Sequence, residues 1–82
     1  MNFIIYAKHK HDKNYGAMNL ADGTVGVGLM FATLIPELER AKLYADMLTE
    51  HIKDFTFQVR DADTNRIYYQ PNELGNQLVA NS

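Results

Sequence analysis

The sequence predicts an α+β fold, a two-layer sandwich in which one helix packs on one face of a mostly antiparallel sheet of about five strands. The predicted order of elements is β-β-β-α-β-β. The main observation is a change of period: apolar residues recur at helical spacing from 38 to 52 and then alternate with polar residues from 55 to 60. A helix followed by a strand explains both periods.

The helix is predicted to begin at Pro36 and to end near Lys53. Proline is tolerated at the first helical position, and the acidic Glu37 and Glu39 suit the positive end of the helix dipole. The stripe expected to face the sheet consists of Leu38, Ala41, Ala45, Leu48 and Ile52.

Three strands are predicted before the helix. The first, 2–8, is apolar on both faces, which is typical of a central strand or of one covered by a partner. The second, 15–20, leads into an Asp22-Gly23 turn. The third is predicted over 24–34, and its glycines indicate a bulge or a close approach by another segment. One face of this third strand would carry Val25, Val27, Leu29 and Phe31, and the other Gly26, Gly28, Met30 and Ala32.

Two strands are predicted after the helix, 55–60 and 67–70, joined by a turn over 61–66 and ended by Pro71. If the third and fourth strands are parallel neighbours, the helix is a right-handed crossover between them. Residues 1–71 would then form one domain, and 72–82 a loosely ordered polar tail.

Composition limits the classes of function. With 82 residues, 46% of them hydrophobic, the chain suits one small domain that self-association, as a dimer, would help to stabilise. There is no cysteine, so disulfides and thiolate metal sites are excluded. The first apolar run is too short for a signal peptide or a membrane span, so we expect a cytoplasmic protein without a membrane partner.

Some apolar surface is left over in this arrangement, because one helix cannot cover both faces of the sheet. The face with Tyr6 would be open, and Leu43 and Met47 lie on the helix roughly opposite its core stripe. The candidate interface residues are Leu43, Met47, Tyr6 and Tyr68. Scattered exposed apolar residues are also normal in monomers, which is the competing interpretation.

A basic and aromatic loop after the first strand gives an alternative function, nucleic-acid or nucleotide binding. Its candidate contacts are Lys8, His9, Lys10, His11, Lys13 and Tyr15. The His9-Lys10-His11 motif could face one metal ion, but further ligands are missing and the lysines repel a cation. We therefore predict no metal site here.

Other motifs are explained better by structure than by chemistry. Asp61, Asp63 and Asn65 match the first ligands of a calcium loop, but Arg66 replaces the required glycine and the flanks are strands. The glycines from 23 to 28 precede strand residues instead of opening a helix, unlike a phosphate-binding loop. No nucleophile has a discernible base partner, so we predict neither an enzyme nor a cofactor.

Three segments resemble small proteins encoded by bacteriophages and prophages of Gram-positive bacteria. These segments are Phe3-Ile4-Ile5-Tyr6-Ala7-Lys8, Gly16-Ala17-Met18-Asn19-Leu20 and Phe31-Ala32-Thr33. The resemblance covers residues 3 to 60 and implies an accessory role in the contest between phage and host, without site residues to carry over. The predicted function is a non-enzymatic interaction protein that self-associates and binds a protein partner.

Overall fold

The computed structural model describes residues 1–71, and the predicted tail, 72–82, lies outside the described residues. The strands are β1 (Phe3–His9), β2 (Gly16–Asn19), β3 (Thr24–Val25), β4 (Phe55–Asp61) and β5 (Ile67–Tyr69), and the helix is α1 (Leu38–His51). The strands form one sheet in the order β3-β2-β1-β4-β5, with every neighbouring pair antiparallel. Because α1 packs on one face of this sheet, the predicted α+β architecture is confirmed.

The central position of β1 explains why it is apolar on both faces. It pairs with β4 over its whole length, from Phe3 opposite Asp61 to His9 opposite Phe55. Alternate residues of β1 point towards α1 and join the main core, while Ile4 is buried on the other face. Of the two explanations that the sequence left open, a central strand is the one found in the structure.

The main core lies between α1 and the sheet. Ala41 and Ala45 are fully buried, and their small side chains let the helix lie close to the strands. Thr49 completes the buried stripe, and its hydroxyl donates to the Ala45 carbonyl at 2.8 Å. The predicted stripe is wrong at Ile52, which is 39% exposed because the helix has already ended.

The helix is shorter than predicted at both ends. It begins at Leu38, with Glu37 as the N-cap, so Pro36 precedes the helix and is not its first residue. The cause is a bridge between Ile35 and Phe3, whose backbone N–H groups donate to each other's carbonyls at 2.9 and 2.8 Å. These bonds hold the chain extended up to the N-cap.

The prediction of a long third strand over 24–34 is wrong. Strand pairing stops after Val25, because Gly26 has a φ of +84° and turns the chain. The N–H groups of Gly26 and Val27 both donate to the Ala17 carbonyl, at 2.8 and 3.2 Å. A 3₁₀-helix, Leu29–Phe31, follows. The proposed crossover between the third and fourth strands is also absent, because β2 and β1 lie between β3 and β4.

The segment from 26 to 35 covers part of the sheet face that the sequence left open. Ala32 is buried against Ile4 and Ala17, with Val27 packed beside them. The Thr33 N–H donates to the Met18 carbonyl at 3.2 Å, so this segment lies beside the end of β2 while Ile35 pairs with β1. Ala32 is therefore covered, and Gly26 and Gly28 do not belong to an open strand face, contrary to the prediction.

Glycine substitutions test this path of the chain. A Cβ on Gly16 would lie 2.8 Å from the Gly26 Cα, so Gly16→Ala should separate two backbone segments and cost about 2 kcal/mol. Gly26→Ala meets no atom within 4 Å, but its positive φ should cost about 1 kcal/mol. Urea unfolding with a constant m-value would measure both free energies.

The matched control is Gly28→Ala, because Gly28 has a φ of −63° and its Cβ would meet only the Phe31 ring at 3.8 Å. We expect it to change stability by less than about 0.5 kcal/mol. Equal effects of the three substitutions would contradict the turn at Gly26 and its close approach to Gly16.

An alkaline titration tests the contact between β5 and α1. The Tyr69 hydroxyl donates to Asp46 Oδ1 at 2.7 Å, and this bond, with burial and the charge of Asp46, raises the pKa of Tyr69 to about 12. Because the folded state favours the protonated phenol, its stabilising effect is fully present below about pH 10 and is lost as the pH rises through the folded pKa.

We predict that tyrosinate absorbance shows a late phenol, Tyr69, that loses its proton near pH 12. Tyr69→Phe should remove this step, and Asp46→Asn should move it towards lower pH. Glu50→Gln, which removes a carboxylate elsewhere on α1, is the control and should leave the late phenol in place. Superimposable curves for the wild type and Asp46→Asn would refute the contact.

Candidate functional site

An open groove lies between α1 and the end of β2. Its volume is about 560 Å³. Its walls come from three segments: the chain just after β2, the residue Thr33, and one side of α1. The lining residues are Leu20, Ala21, Thr33, Tyr44, Met47, Leu48 and His51.

Two polar groups of the groove already have partners within the protein. The Thr33 hydroxyl accepts a hydrogen bond from the Leu20 N–H at 2.8 Å. The His51 Nδ1 lies 2.9 Å from the Met47 carbonyl oxygen of its own helix. Within residues 1–71, no Lys, Arg, Asp or Glu lines the groove. Most of its lining is therefore apolar and suits the burial of apolar groups.

The 3₁₀-helix beside the groove exposes three consecutive large apolar residues. Leu29, Met30 and Phe31 are all exposed, Met30 by 85%. The 3₁₀-helix is hydrogen-bonded to the end of β2, because Asn19 Nδ2 donates to the Phe31 carbonyl at 2.8 Å. The next residue, Leu20, lines the groove. We call the groove together with Leu29–Phe31 the apolar surface.

The four predicted interface residues do not form one surface. Leu43 and Met47 are 62% and 55% exposed, as their helical spacing predicted, and Met47 lines the groove. Tyr6 lies on the opposite side of the sheet, beneath the guanidinium of Arg60. Tyr68 packs edge-on against Phe3 with ring centroids 5.4 Å apart. The four candidates therefore belong to separate parts of the surface, and their role in an interface stays a prediction.

The basic loop is also divided. Lys10 pairs with Asp54 at 3.4 Å, while His9 packs edge-on against Phe55 at 5.1 Å. The His9 Nδ1 accepts the His11 N–H at 3.2 Å. Lys13 is exposed at the tip. The side chains of His9, Lys10 and His11 thus have contacts other than those of Lys8 and Tyr15, which meet over the sheet face opposite α1.

The sheet face opposite α1 carries a connected set of polar and aromatic side chains. The register places Tyr6 opposite Gln58, and Lys8 opposite Thr56. The Tyr15 hydroxyl lies 2.9 Å from Thr56 Oγ1. The Tyr15 side chain therefore reaches from the start of β2 across β1 to β4. We call this set the polar sheet face; its members are Tyr6, Lys8, Tyr15, Thr56, Gln58, Arg60 and Gln70.

Sequence reasoning found Lys8, Tyr6 and Tyr15 but missed Arg60 and Gln58 as their neighbours. The alternation over 55–60 did place Thr56, Gln58 and Arg60 on one strand face. The sequence did not give the strand order, and the pairing of β1 with β4 is what brings Arg60 beside Tyr6.

Two other kinds of site, a membrane-spanning helix and a cluster of three metal ligands, are absent from residues 1–71. No helix there has both the length and the apolar character needed to cross a bilayer. No three His, Asp or Glu side chains lie close enough together in these residues to hold a metal ion.

The carboxylate of Asp61 shapes the turn before β5. Its Oδ1 accepts the backbone N–H groups of Thr64 and Asp63 at 3.0 and 2.7 Å, and these bonds lower its pKa. The predicted Asp- and Asn-rich turn over 61–66 is confirmed, with Asn65 at a φ of +66°.

Comparison with known proteins adds no assignment. No family model matches the chain, and neither a curated protein nor a solved structure matches it.

Proposed function

We propose that this protein is a small interaction protein and not an enzyme, and that it binds a second copy of itself through the apolar surface. The observation that carries the proposal is the run of exposed Leu29, Met30 and Phe31 beside an apolar groove. Single exposed apolar residues are ordinary, but adjacent ones combined with a groove are typical of interfaces.

A second copy is the occupant that this surface favours. One chain carries both a protruding apolar segment and an apolar groove, so a two-fold axis can place the segment of each copy against the groove of the other. A charged groove would repel an identical groove, but none of the described residues that line this one is Lys, Arg, Asp or Glu. A domain of 82 residues also gains from the additional burial.

The polar groups support binding more than catalysis. In the groove, the Thr33 hydroxyl and the His51 Nδ1 are engaged with backbone atoms, which leaves fewer polar groups to act on a substrate. The proposal therefore includes no cofactor. The resemblance to phage-encoded proteins extends it: the dimer would bind and modulate a host protein such as a nuclease, polymerase or defence effector.

Glutamate substitutions on the apolar surface should prevent self-association. Leu43 lies one turn before the groove residue Met47 on α1, so Leu43→Glu with Met47→Glu, or Met30→Glu alone, introduces charge that dimerisation would bury without a partner. We expect each variant to raise the dimer dissociation constant by at least tenfold, about 1.4 kcal/mol. Sedimentation equilibrium over a range of protein concentrations would measure it, and the unfolding midpoint would show that the fold is intact.

The matched control is Ile67→Glu, which places the same charge on an exposed apolar residue of β5, outside the apolar surface. Its dissociation constant should equal that of the wild type. A wild-type protein that is monomeric at every concentration would refute self-association, and an equal loss in Ile67→Glu would refute the assignment to this surface.

A further inference from the structure

The polar sheet face holds two cations against aromatic rings. The Arg60 guanidinium carbon lies 4.3 Å from the centre of the Tyr6 ring and 5.4 Å from that of Tyr15. The Lys8 Nζ lies 5.8 Å from the centre of the Tyr15 ring. Cations and rings therefore alternate across three neighbouring strands of the sheet.

Neutral acceptors hold Arg60 in place. Its Nε donates to Gln58 Oε1 at 2.9 Å, and one terminal nitrogen donates to Asn65 Oδ1 at 3.3 Å. Gln58 is only 6% exposed, and its Nε2 donates to Gln70 Oε1 at 3.1 Å. Among residues 1–71, the other terminal nitrogen of Arg60 has no hydrogen bond. The guanidinium is thus oriented in advance, with donors left for a ligand.

The charge of this face is not compensated within the described residues. The ion pairs found in 1–71 are Lys10–Asp54, Arg40–Glu37 and Lys42–Glu39, all outside the polar sheet face. Lys8 donates to the Asp12 backbone carbonyl and not to a carboxylate. In a chain with a net charge of −2, two cations without a carboxylate partner in 1–71 favour an anionic ligand.

We propose that the polar sheet face binds single-stranded nucleic acid. Arg60 and Lys8 would contact phosphates, and a base would stack on the Tyr15 ring or on the guanidinium plane. The Lys8 Nζ and the Arg60 guanidinium carbon lie 5.8 and 5.4 Å from the centre of the same Tyr15 ring, so the two cations would contact neighbouring phosphates of one strand. A flat sheet suits an extended strand with splayed bases better than a duplex groove.

This site shares no residue with the apolar surface used for the proposed self-association, and it lies on the sheet face opposite α1 while the groove lies against α1. It also differs from the predicted loop site. Lys10, His9 and His11 are engaged elsewhere, and Arg60 and Gln58 replace them.

Fluorescence anisotropy with labelled single strands of about twelve nucleotides, oligo-dT and oligo-rU, would test the proposal. Two phosphate contacts should weaken binding about sevenfold between about 50 and 200 mM salt. Arg60→Gln and Lys8→Gln should each weaken binding several-fold and flatten the salt dependence. Tyr15→Ser should weaken binding and keep the salt dependence, because it removes a stacking surface and no charge.

Arg40→Gln and Lys53→Gln are matched controls that remove the same charges from other surfaces, and both should bind as the wild type does. Absence of binding at about 50 mM salt, or equal losses in the controls, would overturn the proposal. So would stronger binding of a duplex, or of a phosphorylated peptide, than of the single strands. If circular dichroism shows that Arg60→Gln is unfolded, Lys8→Gln and Tyr15→Ser decide the outcome.

Discussion

The fold depends on one constraint, which is that the central strand β1 must be buried on both faces. Ile4 and Ile5 point to opposite sides of the sheet, and each is only 1% exposed. Burying one such side chain is worth about 1.5–3 kcal/mol, so neither face can be left open without a substantial loss. The helix α1 covers the side of Ile5, and the segment from 26 to 35 covers the side of Ile4.

This constraint also explains where the two candidate surfaces lie. To cover Ile4, the chain leaves strand geometry at Gly26, and it returns to β1 only at the Ile35 bridge. The residues between these points include Leu29–Phe31, whose apolar side chains face solvent, and Thr33, which forms a wall of the groove. The segment from 26 to 35 does not cover Lys8 and Tyr15, so the polar sheet face lies on the part of the sheet that this segment leaves open. The groove and the polar sheet face thus lie on opposite sides of one small sheet, and the two candidate surfaces share no residue.

The sequence predicts the helices and strands in which the spacing of apolar residues matches the buried face of that same element. The helical stripe was interpreted correctly except at Ile52, and so were the alternation of 55–60 and the exposure of Leu43 and Met47. The segment 24–34 was misinterpreted because its alternation of apolar and small residues also fits a strand. The sign of φ at Gly26 depends on the distant Ala17 carbonyl, which a local pattern does not contain. The cluster around Arg60 likewise required the β1–β4 register, so only the cationic and aromatic residues near β1 could be foreseen.

Amide hydrogen exchange measured residue by residue by NMR tests the central claim most directly. If the segment 26–35 covers β1, the amides of Ile35, bonded to Phe3, and of Gly26, bonded to Ala17, should be strongly protected. The amide of Met30, at the exposed 3₁₀-helix, should exchange rapidly. A regular third strand would instead give alternating protection from Leu29 to Leu34. That pattern, or an unprotected Ile35 amide, would contradict the account.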